Sequence, residues 1–393
     1  MDSLKRQRIA EALADIVRTA RACGPERRIG LMTGGGELGA EELLRGARMA
    51  REARRNLRVL AIGTPVPGWE DLDWLPCGDS DGERAAALDM AFSEGRIDGA
   101  VALHYPFPIG VTTVGRIRTP GRGMPLFVAS CTGMSHARRG PALLLNAVYG
   151  LAVAKAAGLE RPSLAFLNLD GAAQALRALQ RLRDAGYDVV LGGSGRSDGG
   201  NLLRGNDLVA GSVDVLVCDS LTGNALVKVF ASFTSGGYRE TAGWGYGPSA
   251  GEGWHRVVSI VSRASGAPVV AQALQLAATC AAARLPDIVA RELDSARAAG
   301  LDGALAQLMP APSAAEASAP AAPPAVPVDA QISGVDVLDL EAATQALWKE
   351  NIYAENAMGC TGPVIRVQAS LREKAAVILQ REGFLAPSEG DPQ

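Results

Sequence analysis

The chain has 393 residues, 48% hydrophobic and only 5% aromatic, with 39 basic against 42 acidic side chains and a formal net charge of −3. That length is enough for two to three domains with a sizeable core. The near-balanced charge excludes the basic footprint of a nucleic-acid binder or of a protein held on an anionic membrane. Residues 1–22 read as a charged amphipathic helix rather than a basic stub before an apolar run. No stretch of about 18 apolar residues occurs, so the expectation is a cytoplasmic protein without a membrane span. The six cysteines (Cys23, Cys77, Cys131, Cys218, Cys280 and Cys360) form no C-x-x-C pair, and reduced thiols are expected. His104, His136 and His255 lie far apart, so no metal site is expected.

In chain order, residues 28–32 (RIGLM) read as a strand, followed by the Gly34-Gly35-Gly36 turn and a helix to residue 54. Further strands are expected over 58–62, 99–103, 125–129, 164–169, 188–191, 213–218 and 257–262. Helices fall over 84–92, 142–157 and 174–185. This alternation predicts an α/β fold on a two-lobed, largely parallel sheet with flanking helices. The domain spans 1–309, with a lobe boundary near residues 150–163.

Residues 310–334 form an Ala/Pro-rich linker; residues 310–328 alone carry fourteen Ala or Pro in nineteen positions. Such a segment cannot build a core, and its prolines favour an extended chain of roughly 3.1 Å per residue. Residues 335–386 then read as a small tethered C-terminal α/β module. Asp339 caps a helix over 340–351, a loop follows over 356–363, then a strand over 364–367 and a helix over 371–381. A module of about fifty residues is small for an independent core and is expected to dock on the main body or a partner.

Gly34-Gly35-Gly36-Glu37-Leu38-Gly39 formally matches the dinucleotide fingerprint, but the second strand runs into Gly63-Thr64-Pro65-Val66 with no carboxylate for a ribose. No nicotinamide, and no other cofactor, is expected. Two other turns carry more. The strand before Asp219 leads into Thr222-Gly223-Asn224 and a helix, at the sheet edge where α/β proteins bind ligands and helix amides favour anions. The strand ending near Val261 leads into Ser262-Arg263, where a guanidinium can grip phosphate through two parallel hydrogen bonds. Gly247 belongs to a Gly-rich loop, Gly243 to Gly253, that can approach a ligand closely.

With Phe230-Ala-Ser-Phe-Thr-Ser-Gly-Gly237 and Gly245-Tyr246-Gly247-Pro248, these runs resemble phosphate acetyltransferases and the phosphate acyltransferases of phospholipid synthesis. The nearest resemblance is to the alpha subunits of component C of glycine/sarcosine/betaine reductase. It extends from Arg28-Ile-Gly-Leu-Met-Thr to Asn356-Ala-Met-Gly-Cys-Thr-Gly-Pro363. The resemblance implies an acyltransferase subunit that holds an acyl group, expected to be acetyl, as a thioester on Cys360. Phosphate then takes it as an acyl phosphate. It also implies a thiolase-like beta subunit as partner in a homo- or hetero-oligomer, with Ser262, Arg263, Thr222, Gly223, Asn224 and Gly247 around the phosphate. Phosphate acetyltransferases place an aspartate seven residues after the serine; here that position is Val269, so a base there is missing.

The chemistry at Cys360 fits a carrier. A thiolate is the competent nucleophile, and the Gly359, Gly362 and Pro363 turn leaves backbone N–H groups able to stabilise negative charge. Cys131, in Ser-Cys-Thr-Gly at a strand end, is the next candidate thiol. Two other readings stand beside this one: a stand-alone phosphate acyltransferase using coenzyme A or carrier-protein thioesters, and a non-catalytic scaffold subunit.

Overall fold

A computed structural model describes residues 24–195, 199–309, 320–337, 339–359 and 362–385. One wing of the sheet comprises β1 (Arg27–Met32), α1 (Ala40–Ala53), β2 (Leu57–Ile62), β3 (Asp73–Leu75), α2 (Asp81–Ser93) and β4 (Gly99–Ala102). These four strands are parallel, with β2 and β4 on either side of β1 and β3 beyond β2. Four consecutive buried residues end β1 and β2, the continuous apolar run of a strand covered on both faces.

β5 (Val111–Arg118) turns back antiparallel into β6 (Pro125–Met134). The second wing follows: α3 (Arg139–Ala156), β7 (Ser163–Leu167), α4 (Ala172–Asp184), β8 (Val190–Leu191), β9 (Leu202–Leu203), α5 (Gly205–Ala210) and β10 (Val215–Val217). Here β10 lies parallel between β6 and β7. After α6 (Ser220–Ser232) the chain returns to the first wing. β11 (Gly247–Gly251) runs antiparallel between β5 and β12 (Val258–Ile260), and β12 lies parallel to β4. α7 (Ala267–Ala282), α8 (Leu285–Ala298) and α9 (Leu301–Leu308) complete the helical cover.

The result is one 12-stranded sheet in the order β3-β2-β1-β4-β12-β11-β5-β6-β10-β7-β8, with β9 on β7. The expected α/β architecture is present: two parallel wings flanked by helices. What the sequence reading omitted is the antiparallel centre. β11 is the pentapeptide GPSAG, which lacks the β-branched and aromatic residues that mark strands, and it lies within the segment read as a Gly-rich loop.

Period-two alternation divides the core between the two faces. Leu126, Val128 and Leu216 point into one cluster, while Phe127, Ala129, Val215 and Val217 point into the other. α3 fills the second face; it is apolar all round, with fourteen buried residues, because it lies between the sheet and α4, α8 and α9.

The C-terminal module contains β13 (Ala330–Ser333), α10 (Leu340–Lys349), β14 (Ala354–Gly359), β15 (Gly362–Val367) and α11 (Arg372–Arg381). Its antiparallel sheet has the order β13-β15-β14, so the first strand of the module starts ahead of residue 335. Leu340, Ala343 and Leu347 of α10 meet Ile365, Val367, Ile378 and Leu379 in a separate small core, and Met134 of the main body packs against it. Arg138 pairs with Glu341 at 3.0 Å across the same seam. The expected loop over 356–363 is mostly strand: β14 and β15 pair from Ala354↔Val367 to Gly359↔Gly362. Cys360 and Thr361, between those strands in sequence, lie outside the described residues, as do residues 310–319 of the linker.

Candidate active site

The carboxyl ends of β1, β4, β6 and β12 meet α6 around a cavity of about 210 Å³. Its wall includes Glu37, Tyr105, Thr132, Asn224, Lys228, Tyr246, Ser262 and Arg263. Three residues named from sequence, Asn224, Ser262 and Arg263, therefore share one space, although nearly forty positions separate the first from the other two.

Each is held by a distinct local device. α6 begins at Asp219, whose carboxylate accepts from the Thr222 backbone N–H at 2.8 Å. That cap turns the next helical residues toward β6, and the Asn224 amide donates to the Cys131 carbonyl at 3.3 Å. Lys228 follows Asn224 by four residues, hence on the same face of the helix. No carboxylate lies within 4.0 Å of its ammonium among the described residues, and the side chain is exposed.

Ser262 and Arg263 leave β12 in a tight turn. The Ser262 N–H donates to Ser265 Oγ at 3.1 Å, and the Ala264 N–H donates to Ser262 Oγ at 3.1 Å. The Arg263 carbonyl accepts from the Glu37 N–H at 2.8 Å, fastening this turn to the one after β1. The Arg263 guanidinium reaches Asp81 at 3.2 Å, and Asp81 also takes a 2.8 Å hydrogen bond from buried Arg84. Burial raises the Asp81 pKa, but the Arg84 bond and the nearby His104, Arg84 and Arg263 charges outweigh it and hold the carboxyl below its ordinary value. His104 is shifted downward, by burial first and by the Arg263 and Arg84 charges, against the opposing pull of Asp81.

Thr222, Gly223 and Gly247 stand apart from this wall. The Thr222 amide is engaged by Asp219, so the anion at this helix terminus is the protein's own carboxylate. A Cβ at Gly223 would overlap the Ser130 carbonyl where α6 crosses β6. Gly247 has a φ of 79° and no room for a Cβ against the Val114 carbonyl of β5. Both glycines are positions of close backbone approach. Val269 is fully buried in α7.

Two residues that sequence reasoning missed complete the cluster. Lys228 carried a usable signal, its helical spacing from Asn224. Glu240 carried none. It is fully buried, accepts from Ser265 Oγ at 2.7 Å and from the Tyr246 hydroxyl at 3.2 Å, and sits behind the cavity wall. Burial raises its pKa, opposed by the hydroxyls of Ser265, Ser262 and Tyr246 and by the Lys228 charge.

A larger cavity of about 770 Å³ lies along the seam between body and module. Ser130, His136, Arg138, Arg139, Asn146 and Asp219 line it from the body, and Asn356 and Pro363 from β14 and β15. Gly133, near the end of β6, belongs to both cavities. The described thiols are poor nucleophiles: burial pushes Cys131 and Cys280 up to about 12 and Cys218 well above its ordinary value, and raises Cys77 as well. Among the described residues no cluster of His, Cys, Asp and Glu is arranged to hold a metal ion, and no helix is long and apolar enough to cross a membrane.

Residues 27–366 match the family described as "Fatty acid synthesis protein". The chain is 43% identical over 375 residues, 95% of its length and 96% of the relative's, to the glycine/sarcosine/betaine reductase complex component C subunit alpha of Peptoclostridium acidaminophilum. It belongs to that component C alpha family. A branched-chain phosphotransacylase from Enterococcus faecalis V583 superposes with a TM-score of 0.45 at 17% identity, covering 64% of this chain and 99% of the other. The matched span, residues 27–366, contains the residues that line both cavities.

Proposed function

We propose that this chain is the acyltransferase subunit of a component C-like reductase complex. It holds an acyl group, acetyl in the first instance, as a thioester on Cys360 and transfers it to phosphate. The observation that carries the reading is the convergence of Arg263, Lys228, Ser262 and Asn224 on one small cavity at the sheet's carboxyl edge. Two cations, a hydroxyl and an amide in a space of about 210 Å³ suit a phosphate and the tetrahedral oxyanion it forms.

In this reading the phosphate oxygen attacks the thioester carbonyl, a C–O bond forms, the C–S bond breaks and the electron pair leaves on the Cys360 sulfur. The module supplies the thiol. Pro363 and Asn356, on the strands either side of Cys360, border a cavity that shares Gly133 with the phosphate cavity. The high pKa values of Cys131, Cys218 and Cys280 also speak for a carrier thiol elsewhere. Within the complex the partner is a thiolase-like beta subunit, and the site of action is the cytoplasm.

Intact-mass measurement of the full chain after incubation with acetyl phosphate tests the reading. An acetyl adduct is expected on the wild type and none on Cys360→Ala. An adduct that survives in Cys360→Ala refutes the assignment.

A further inference from the structure

We propose that Glu240 is a positioning residue for phosphorolysis: it accepts, through the Tyr246 hydroxyl, the proton that the attacking phosphate gives up. The inference rests on the acyltransferase reading above and adds to it the missing base.

The geometry is that of an internal acceptor. Tyr246 lines the phosphate cavity and its hydroxyl donates to Glu240 Oε1 at 3.2 Å, while Oε2 is occupied by Ser265 Oγ at 2.7 Å. The carboxylate does not line the cavity itself. Backbone bonds fix it to the phosphate turn: the Glu240 N–H donates to the Ala264 carbonyl and the Gly266 N–H donates to the Glu240 carbonyl, both at 2.9 Å. A carboxylate so placed serves the turn that carries Ser262 and Arg263, yet a neutral amide would serve the same packing. A carboxyl in full burial needs another reason, because burying a charge is costly unless it is compensated.

The proton balance supplies one. Monohydrogen phosphate attacks through an ionised oxygen and becomes an acyl phosphate that retains the P–OH proton. That proton passes to the Tyr246 oxygen as the Tyr246 proton passes to Glu240. It then returns to the thiolate released from the thioester, so no co-reactant is consumed. Burial shifts Glu240 upward, which makes it a stronger proton acceptor than an ordinary exposed carboxylate. The other charged or titratable groups around it are Lys228 on α6, Arg263 on the turn, and Arg239 and Glu42 beyond Gly266; Cys131 lies behind Tyr246.

The test uses the full-length chain and acetyl phosphate, read by the rate and final extent of acetylation of Cys360 and by the pH profile of that rate. Proton transfer by a positioned group contributes about 10²–10⁴-fold. Glu240→Gln, which keeps the shape, is expected to slow acetylation about a hundredfold, leave the final extent and the half-saturating acetyl phosphate unchanged, and flatten the pH profile. A Glu240→Gln rate within threefold of wild type with the same pH profile overturns the proposal. If Glu240→Gln does not fold, Tyr246→Phe decides: loss of rate with a flattened profile supports the relay, and a wild-type rate and profile refute it. Absence of any adduct on the wild-type chain is a different result, because it removes the thioester reading itself.

Discussion

Asp81 and Arg263 lie 3.2 Å apart, so the guanidinium that lines the cavity beside Ser262 is already engaged by a carboxylate. If the cavity takes phosphate as proposed, that anion has to compete with Asp81 for Arg263. Asp81→Asn removes that competitor and a like charge, and is expected to lower the half-saturating phosphate concentration severalfold. Lys228→Ala is expected to raise it by about tenfold, the loss of roughly 1.4 kcal/mol from one charged contact. Steady-state kinetics at low salt separates the two; the same direction for both variants contradicts the cavity as the phosphate site.

Gly223 lies where α6 crosses β6, and a methyl there overlaps the Ser130 carbonyl. Backbone cannot yield as a flexible side chain does. Gly223→Ala is therefore expected to destabilise the main body by about 1–3 kcal/mol, measured by urea unfolding. A value near zero means that α6 slides on β6 more freely than the close contact allows.

The buried thiols set an alkaline limit. Cys131 and Cys280 titrate near 12 in the folded chain, raised by burial, against an ordinary value of 9.0. A raised folded pKa favours the protonated form, so the stabilisation is complete below pH 9.0 and is lost as pH climbs toward 12. Each thiol contributes a slope of at most about 1.4 kcal/mol per pH unit in that window. Cys280→Ala is expected to flatten the decline in stability above pH 9.0. Alkylation at pH 8 is expected to spare Cys131, Cys218 and Cys280 until denaturant is added.

The seam between body and module contains the Arg138–Glu341 ion pair, partly exposed on both sides. Such a pair contributes about 0–1 kcal/mol, so Glu341→Gln is expected to leave the unfolding profile nearly unchanged. Glu341→Lys sets like charges against each other beside Met134, and separate calorimetric transitions for body and module are expected. A single unchanged transition in Glu341→Lys means that apolar packing alone holds the seam.

Much of this was legible before the fold was known. β1, β2, β4 and α3 announce themselves because buried parallel strands and a buried helix are near-continuous apolar runs. Asn224, Ser262 and Arg263 are readable because each follows a strand end, where α/β sheets present ligand sites. β11 was illegible: its five residues are held by register with β5 and β12 rather than by propensity. Thr222 and Gly223 look like ligand contacts in a linear reading, yet Asp219 occupies the amide and Ser130 explains the glycine. Glu240 lies outside any regular element, and only chain closure around Ala264 and Gly266 sets it beneath Ser262.

Gly133 has a φ of 74°, and a Cβ there would overlap the Val111 carbonyl, so this residue has little freedom to adjust. It borders the Ser262–Arg263 cavity on one side and the seam of the C-terminal module on the other. One peptide unit thus serves as a common wall of the two cavities. Thermodynamic linkage makes any coupling across it reciprocal. If an anion held by Arg263 and Lys228 changes the affinity with which the module seats, the seated module changes the affinity for the anion by the same factor. Loading and arrival would then be two readings of a single equilibrium.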